Sequence, residues 1–299
     1  MCIRDSIAGD PVRDKDEVLW TVVDITERVK AKEKIDQLAS KLSRYLSPQV
    51  YQSIFSGKKN VKIEAYRKKL TVFFSDIKGF TEITDRLEPE VLSALLNSYL
   101  NEMSKIALKY GGTIDKFVGD AILIFFGDPE TKGDKEDAYS CVLMALEMQE
   151  RMHHLKNLWE GQGITNPLEI RIGINTGYCN VGNFGSENRL DYTIIGGEVN
   201  LASRLESNAM TGQILISQET YALIKKHIVC EKKDEIKVKG IAHKIQTYQV
   251  VGSYKNIAQK RKILNEKFDG FNLNIDLNIS KKNEVITSLE NTLKQLKKN

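Results

Sequence analysis

FFSDIKGFTEI, residues 73–83, and GGTIDKFVGDAILIFFG, residues 111–127, decide how this chain reads. Each is an apolar, strand-like run interrupted by one aspartate, Asp76 in the first and Asp120 in the second. A carboxylate at the end of a buried strand is costly unless a cation or a hydrogen bond satisfies it. Taken singly, either aspartate reads as a turn or cap residue. Two that converge would hold hard divalent cations, and hard cations bring phosphates.

Outward from these stretches the pattern alternates strands and helices. A strand is expected over residues 70–75, followed by helical segments within 81–110. There Leu92, Leu95, Leu96, Tyr99, Leu100 and Met103 make one apolar face. Gly111 and Gly112 stop it, and a hairpin of strands 113–118 and 121–126 turns through Gly119-Asp120. Asp134 is expected to cap a helix over 135–159. A strand over 168–176, a flexible glycine-rich turn over 177–185 and a strand ending near Ile195 follow. Then come a helix over 199–207, a strand over 213–217, a helix capped by Ser217, and strands near 235–238 and 245–250. The order is α+β with hairpins, which fits an antiparallel-rich sheet with helices on its faces.

Composition excludes several classes. The 299 residues carry 41% hydrophobic and 28% charged side chains, as soluble globular proteins do. No apolar run is longer than the six residues of Ala121–Phe126, far short of a membrane span, and no secretory leader pattern is present. The expected location is cytoplasmic, with tethering left to upstream sequence. The cysteines Cys2, Cys141, Cys179 and Cys230 are scattered and read as reduced core filler. With four histidines and no HxxxH or CxxC, zinc is not expected. The net charge of +4 does not imply nucleic acid. It sits in the tail, where ten Lys/Arg face five Asp/Glu after Ser253.

The ends read differently from the middle. Residues 18–25 (VLWTVVDI) have strand character but cannot bury a core alone. They are expected to close an upstream domain, and MCIRDS at the start resembles an adapter scar. Thr26 can cap a helix through Arg44 with an Ile35, Leu38, Leu42, Tyr45 seam. Ser47-Pro48 opens a short helix, and residues 58–69 read as a basic linker. In the tail, Phe271 to Ile279 alternate as a half-buried strand, and a last helix carries Val285, Leu289, Leu293 and Leu296.

FFSDIKGFT, DKFVGDAILIFFG, IRIGINTG and LDYTIIGGEVNLASRLE, in that order, resemble the catalytic domain of class III nucleotidyl cyclases over residues 67–250. LWTVVDITERVKAKEKI resembles the end of a PAS sensor domain running into its signalling helix. The resemblance implies a ferredoxin-like α+β catalytic domain that pairs head to tail as a homodimer, with sites at the interface. It divides the chain into a truncated PAS-like tail (1–26), a signalling helix and linker (27–65), the catalytic domain (66–252) and a basic tail (253–299).

The same resemblance assigns roles. Asp76 and Asp120, with the Ile77 carbonyl, would hold two Mg2+ or Mn2+ ions per site. Phe80 and Thr81 would open a helix whose backbone N–H groups face phosphate. Across the dimer, Asn200 and Arg204 would orient the ribose and stabilise charge on the reacting phosphate. Their four-residue spacing places them on one helix face. Arg171 and Lys239 match two further phosphate-binding positions. Lys116, expected on the face of Ile114 and Val118, and Thr193 match the base-reading pair. An ammonium can donate to adenine N1, and a hydroxyl can accept from the 6-amino group. Guanylate-specific members resemble Glu and Cys there, so the substrate expected is ATP and the product 3′,5′-cyclic AMP. Guanylate cyclase and an inactive, dimerising cyclase-like module are the alternatives. Gly197-Glu198 departs from the usual step before Val199-Asn200. Gly197 is expected to loosen that turn, and Glu198 to be a helix-start acid.

Overall fold

The computed structural model describes residues 25–42, 47–55, 62–164, 167–237, 244–254, 263–268, 271–276 and 282–297. In chain order the elements are α1 (Thr26–Leu42), α2 (Pro48–Phe55), β1 (Ala65–Ile77), α3 (Phe80–Thr84), α4 (Pro89–Tyr110), β2 (Thr113–Val118), β3 (Ala121–Phe126), α5 (Asp134–Gly161), β4 (Ile170–Ser186) and β5 (Arg189–Ile195). They continue with α6 (Gly197–Asn208), β6 (Ile214–Ser217), α7 (Gln218–Ile224), β7 (Ile228–Lys232), β8 (Thr247–Ser253), β9 (Ile263–Phe268), β10 (Phe271–Asp276) and α8 (Lys282–Leu296).

Eight strands form one sheet in the order β2-β3-β1-β4-β6-β8-β7, with β5 paired to β4. Among these pairings β4 with β6 is parallel and the others are antiparallel, as the α+β reading expects. Strand side chains alternate between faces, and the two faces of this sheet are covered unequally. Phe73, Ile77, Ile122, Ile124, Ile172 and Ile174 face a large core closed by α4, α5 and α7. Leu70, Val72, Leu123 and Phe125 face the other way, toward Ala202 of α6 and Ile194 of β5. The second face is the thinner one, and Asp76, with the strand parity of Leu70 and Val72, lies on its side with Arg171 opposite.

Several expectations need correction. β1 begins at Ala65, so the supposed basic linker is half strand. Its charges are matched across the sheet. Lys68 pairs with buried Asp128 at 2.9 Å, and the Arg67 guanidinium lies 4.7 Å from the centre of the Tyr178 ring. The run 177–185 is no flexible turn but the second half of β4, paired on both edges. Its glycines serve close approach: a Cβ on Gly182 would stand 2.1 Å from the Glu64 carbonyl oxygen. Gly133, not Asp134, precedes α5, and Asp137 receives the Lys132 N–H at 3.0 Å. β7 was missed, and of the strand expected near 235–238 only an Ile236–Ile245 bridge is present among the described residues. The alternating tail segment is β10, in a hairpin with the unforeseen β9. Gly197 lies inside α6 and not in a loosened turn before it. The PAS-like strand lies outside the described residues.

The packing of α6 on β4 is close enough to make a test. A Cβ on Gly173 would stand 2.2 Å from both the Ala202 carbonyl oxygen and the Glu206 nitrogen. Gly173→Ala should therefore push α6 off the sheet and lower stability by about 1–3 kcal/mol, the usual range for overpacking. Urea unfolding with an unchanged midpoint would contradict that contact.

Candidate active site

β1 carries Asp76 one residue before its end, and the β2–β3 turn carries Asp120 beside it. The Asp120 Oδ2 accepts the Ile77 backbone N–H at 3.0 Å, so the two aspartates converge as expected. Burial first, and then the Asp76 carboxylate, push the Asp120 carboxyl up to about 6. Two carboxylates held this close repel one another. Among the described residues no group of three or more His, Cys, Asp or Glu could hold a metal. Two carboxylates and a carbonyl suit an ion that draws its remaining ligands from water and substrate phosphate, as Mg2+ does. The donors present therefore fit a hard divalent cation.

Register places Arg171 of β4 directly opposite Asp76. Its Nη2 lies 3.2 Å from Asp76 Oδ2 and 2.8 Å from Glu206 Oε1. The contact to Glu206 is a charge contact without hydrogen-bond geometry, and the Arg171 Nε is buried without a partner. Glu206 went unnoticed in the sequence, where it reads as one more helix acid. Burial holds its carboxyl above the ordinary range although Arg171 opposes the shift. Phe80 packs its ring on the main core while Thr81 is exposed in the first turn of α3.

Lys116 and Thr193, expected to read the base, are also brought together, but Lys116 does not lie on the expected face. The β2–β3 register shifts between Ile114 and Lys116, so Lys116 does not share the Ile114 face. A bulge supplies one extra residue, here Asp115, and re-aims the side chains around it. The Asp115 side chain is 1% exposed and the Lys116 side chain 43%, with Nζ 3.4 Å from Asp115 Oδ1. The buried Thr193 hydroxyl donates to Asp115 Oδ2 at 2.6 Å, and the Ile194 N–H donates to the same oxygen at 3.2 Å. Next to Thr193 in β5, the Tyr192 hydroxyl donates to Asp128, which also accepts from Tyr66.

On α6, Asn200 and Arg204 are exposed four residues apart, and neither side chain has a polar partner among the described residues. Glu198, expected to be a plain helix-start acid, accepts from Asn175 Nδ2 at 2.7 Å and ties the start of α6 to β4. Lys239 lies outside the described residues.

This arrangement has relatives. Residues 61–252 match the family model described as the adenylate and guanylate cyclase catalytic domain. The chain belongs to that family. Among solved structures, the cyclase is similar to the adenylyl cyclase CyaB from P. aeruginosa, with 64% identity and a TM-score of 0.63 over 64% of this chain and 98% of that one. It is similar to the guanylyl cyclase Cya2 at 37% identity and a TM-score of 0.61, over 64% of this chain and 95% of that one. The terminal-differentiation specific adenylate cyclase of Dictyostelium discoideum is 34% identical over 228 residues, 74% of this chain and 10% of that protein. The chain spans 10%, 28% and 39% of three such curated relatives. Among the described residues no helix is long and apolar enough to cross a membrane.

The burial of Asp120 beside Asp76 has a measurable sign. Because the folded state raises the Asp120 carboxyl to about 6, the ion-free native protein binds a proton more tightly than the unfolded chain does. Its stability should then fall as pH rises from about 4 toward 6, by linkage. Asp120→Asn should flatten that part of the profile and raise the melting temperature at neutral pH in chelator. Thermal unfolding against pH, with and without the substitution, measures both.

Proposed function

We propose that this cyclase converts ATP to 3′,5′-cyclic AMP and pyrophosphate, at sites shared between two copies of the chain. The observation that carries the choice of ATP is the meeting of Lys116 and Thr193, far apart in sequence, on the single carboxylate of Asp115. A donor for adenine N1 with an acceptor for the 6-amino group matches adenine, whereas guanine needs the two reversed, and a site built for one base edge rejects the other by leaving polar groups unpaired.

Asp76, Asp120 and the Ile77 carbonyl would hold divalent ions, Mg2+ or Mn2+, two per site. When bound, such ions make a ribose 3′-hydroxyl more acidic and neutralise a departing pyrophosphate. The chain's own part is positioning and charge, which is most of what phosphoryl transfer asks of a protein. Arg171, already facing Asp76, would turn its fork toward phosphate oxygens when nucleotide enters. Phe80 and Thr81 would set backbone N–H groups against the same phosphates. Asn200 would hold the ribose, and Arg204, whose side chain is unpaired among the described residues of its own chain, would meet the reacting phosphate of the partner's half-site. Lys239 would add a further phosphate contact. The exposed Ile35 and Leu38 of α1 suit a signalling helix that pairs with its copy.

The direct experiment incubates the purified chain with Mn2+ and either ATP or GTP and separates the products by chromatography. Cyclic AMP from ATP, with little cyclic GMP from GTP, is the expected result. Asp76→Ala and Asp120→Ala should each abolish turnover while leaving the fold, and near-normal rates in either would sink their metal role.

Mixing subunits tests the shared site. Asp76→Ala and Arg204→Ala chains are each expected to be inactive alone. After random exchange half the dimers are mixed, and each mixed dimer has one intact site of two. About a quarter of the wild-type rate should return. Verified exchange without recovery would place both residues in one subunit's site.

A further inference from the structure

Asp115 has no part in the reading above beyond holding two other residues together, yet its position is unusual. It is a carboxylate with 1% side-chain exposure, placed by a bulge in a short strand. Burying such a group is expensive unless donors surround it. Three do: the Thr193 hydroxyl at 2.6 Å, the Ile194 N–H at 3.2 Å and the Lys116 ammonium at 3.4 Å. An ionised carboxylate only accepts.

That asymmetry reaches the base. A threonine hydroxyl alone is ambiguous, because it has one proton to give and lone pairs to receive with. Facing a nucleotide, it could accept from the adenine 6-amino group or donate to guanine O6. With its one proton committed to Asp115, only lone pairs remain on the open side. The same carboxylate draws in the Lys116 ammonium, which keeps two further N–H donors for the base. We propose that Asp115 is a positioning residue for base selection, which commits the Thr193 proton and anchors Lys116 so that the pair shows an acceptor toward position 6 and a donor toward N1, the complement of adenine and the reverse of what guanine needs. The inference rests on the ATP reading and adds the group that makes it one-sided.

The test measures kcat/KM for ATP and for GTP on the full chain. Wild-type enzyme is expected to prefer ATP on the order of 100-fold. Asp115→Ala should cut that ratio about tenfold, lowering KM for GTP because the freed hydroxyl can then donate to guanine, and raising it for ATP because Lys116 loses its anchor. Asp115→Val, apolar and suited to a strand, should act likewise if the alanine variant folds poorly. Asp115→Asn keeps a carbonyl oxygen for the Thr193 proton and should retain most of the ratio. Thr193→Val should lose as much selectivity as Asp115→Ala, and the double variant no more than either. A strut that merely fastens β5 to β2 would slow both nucleotides alike. Equal losses that leave the ratio unchanged in Asp115→Ala or Asp115→Val would overturn the inference while the ATP reading stands. So would an unchanged ratio in Thr193→Val. A wild type that uses both nucleotides equally would overturn the two together.

Discussion

β1 and β4 face each other through thirteen consecutive antiparallel pairs, and the position of nearly every other element follows from that ladder. Strand side chains alternate, so a slip of one residue would turn each of them to the opposite face. Phe73 and Ile77 would leave the large core, and Asp76 would be driven into it with no cation in reach. Apolar burial on two unlike faces therefore holds the register. The register, in turn, sets Arg171 opposite Asp76 and brings Gly173 under α6.

A second theme is the use of buried aspartates as anchors for β5. Tyr192 and Thr193 are neighbours on that strand and point opposite ways. Tyr192 reaches Asp128 on one side, where Lys68 and Tyr66 also converge. Thr193 reaches Asp115 on the other. Each carboxylate is costly alone and tolerable with several donors, so the strand is held by polar contacts that accept few substitutions. The same rule bears on Asp120, whose carboxyl burial and then the neighbouring Asp76 carboxylate push up.

Local signals were legible where local chemistry decides the outcome. The β2–β3 hairpin falls where its apolar runs and Gly119 place it, and Ser217 caps α7 by accepting the Thr220 N–H at 3.3 Å. Asp76 and Asp120 stood out because a charge in an apolar run has few explanations. The misreadings came from long-range partners. Arg67, Lys68 and Lys69 look like a linker until Tyr178, Asp128 and Asp134 appear opposite them. The glycines of β4 look like a turn until the chain segments pressed against them are seen. Asp115 obeys the logic that singled out Asp76, since it too interrupts an apolar strand. The resemblance drew the reading to its neighbour Lys116, the bulge that re-aims the two shows only in the β2–β3 register, and the Asp115 partner Thr193 lies nearly eighty positions further along.

The bare contact between Gly173 and α6 bears on how such a domain could be switched. Where helices slide, side chains usually act as bearings that can swap rotamers and let one element creep past another. At Gly173 there is no such bearing, and the backbone of β4 meets the backbone of α6 directly. The Arg171–Glu206 contact fastens the same joint. A push arriving at either element would be passed on whole, as through a welded bracket. On the shared-site proposal, any adjustment that brings Arg204 of one copy toward Asp76 of another would then fall to the seam between copies, each copy moving as a stiff half of a two-part tool.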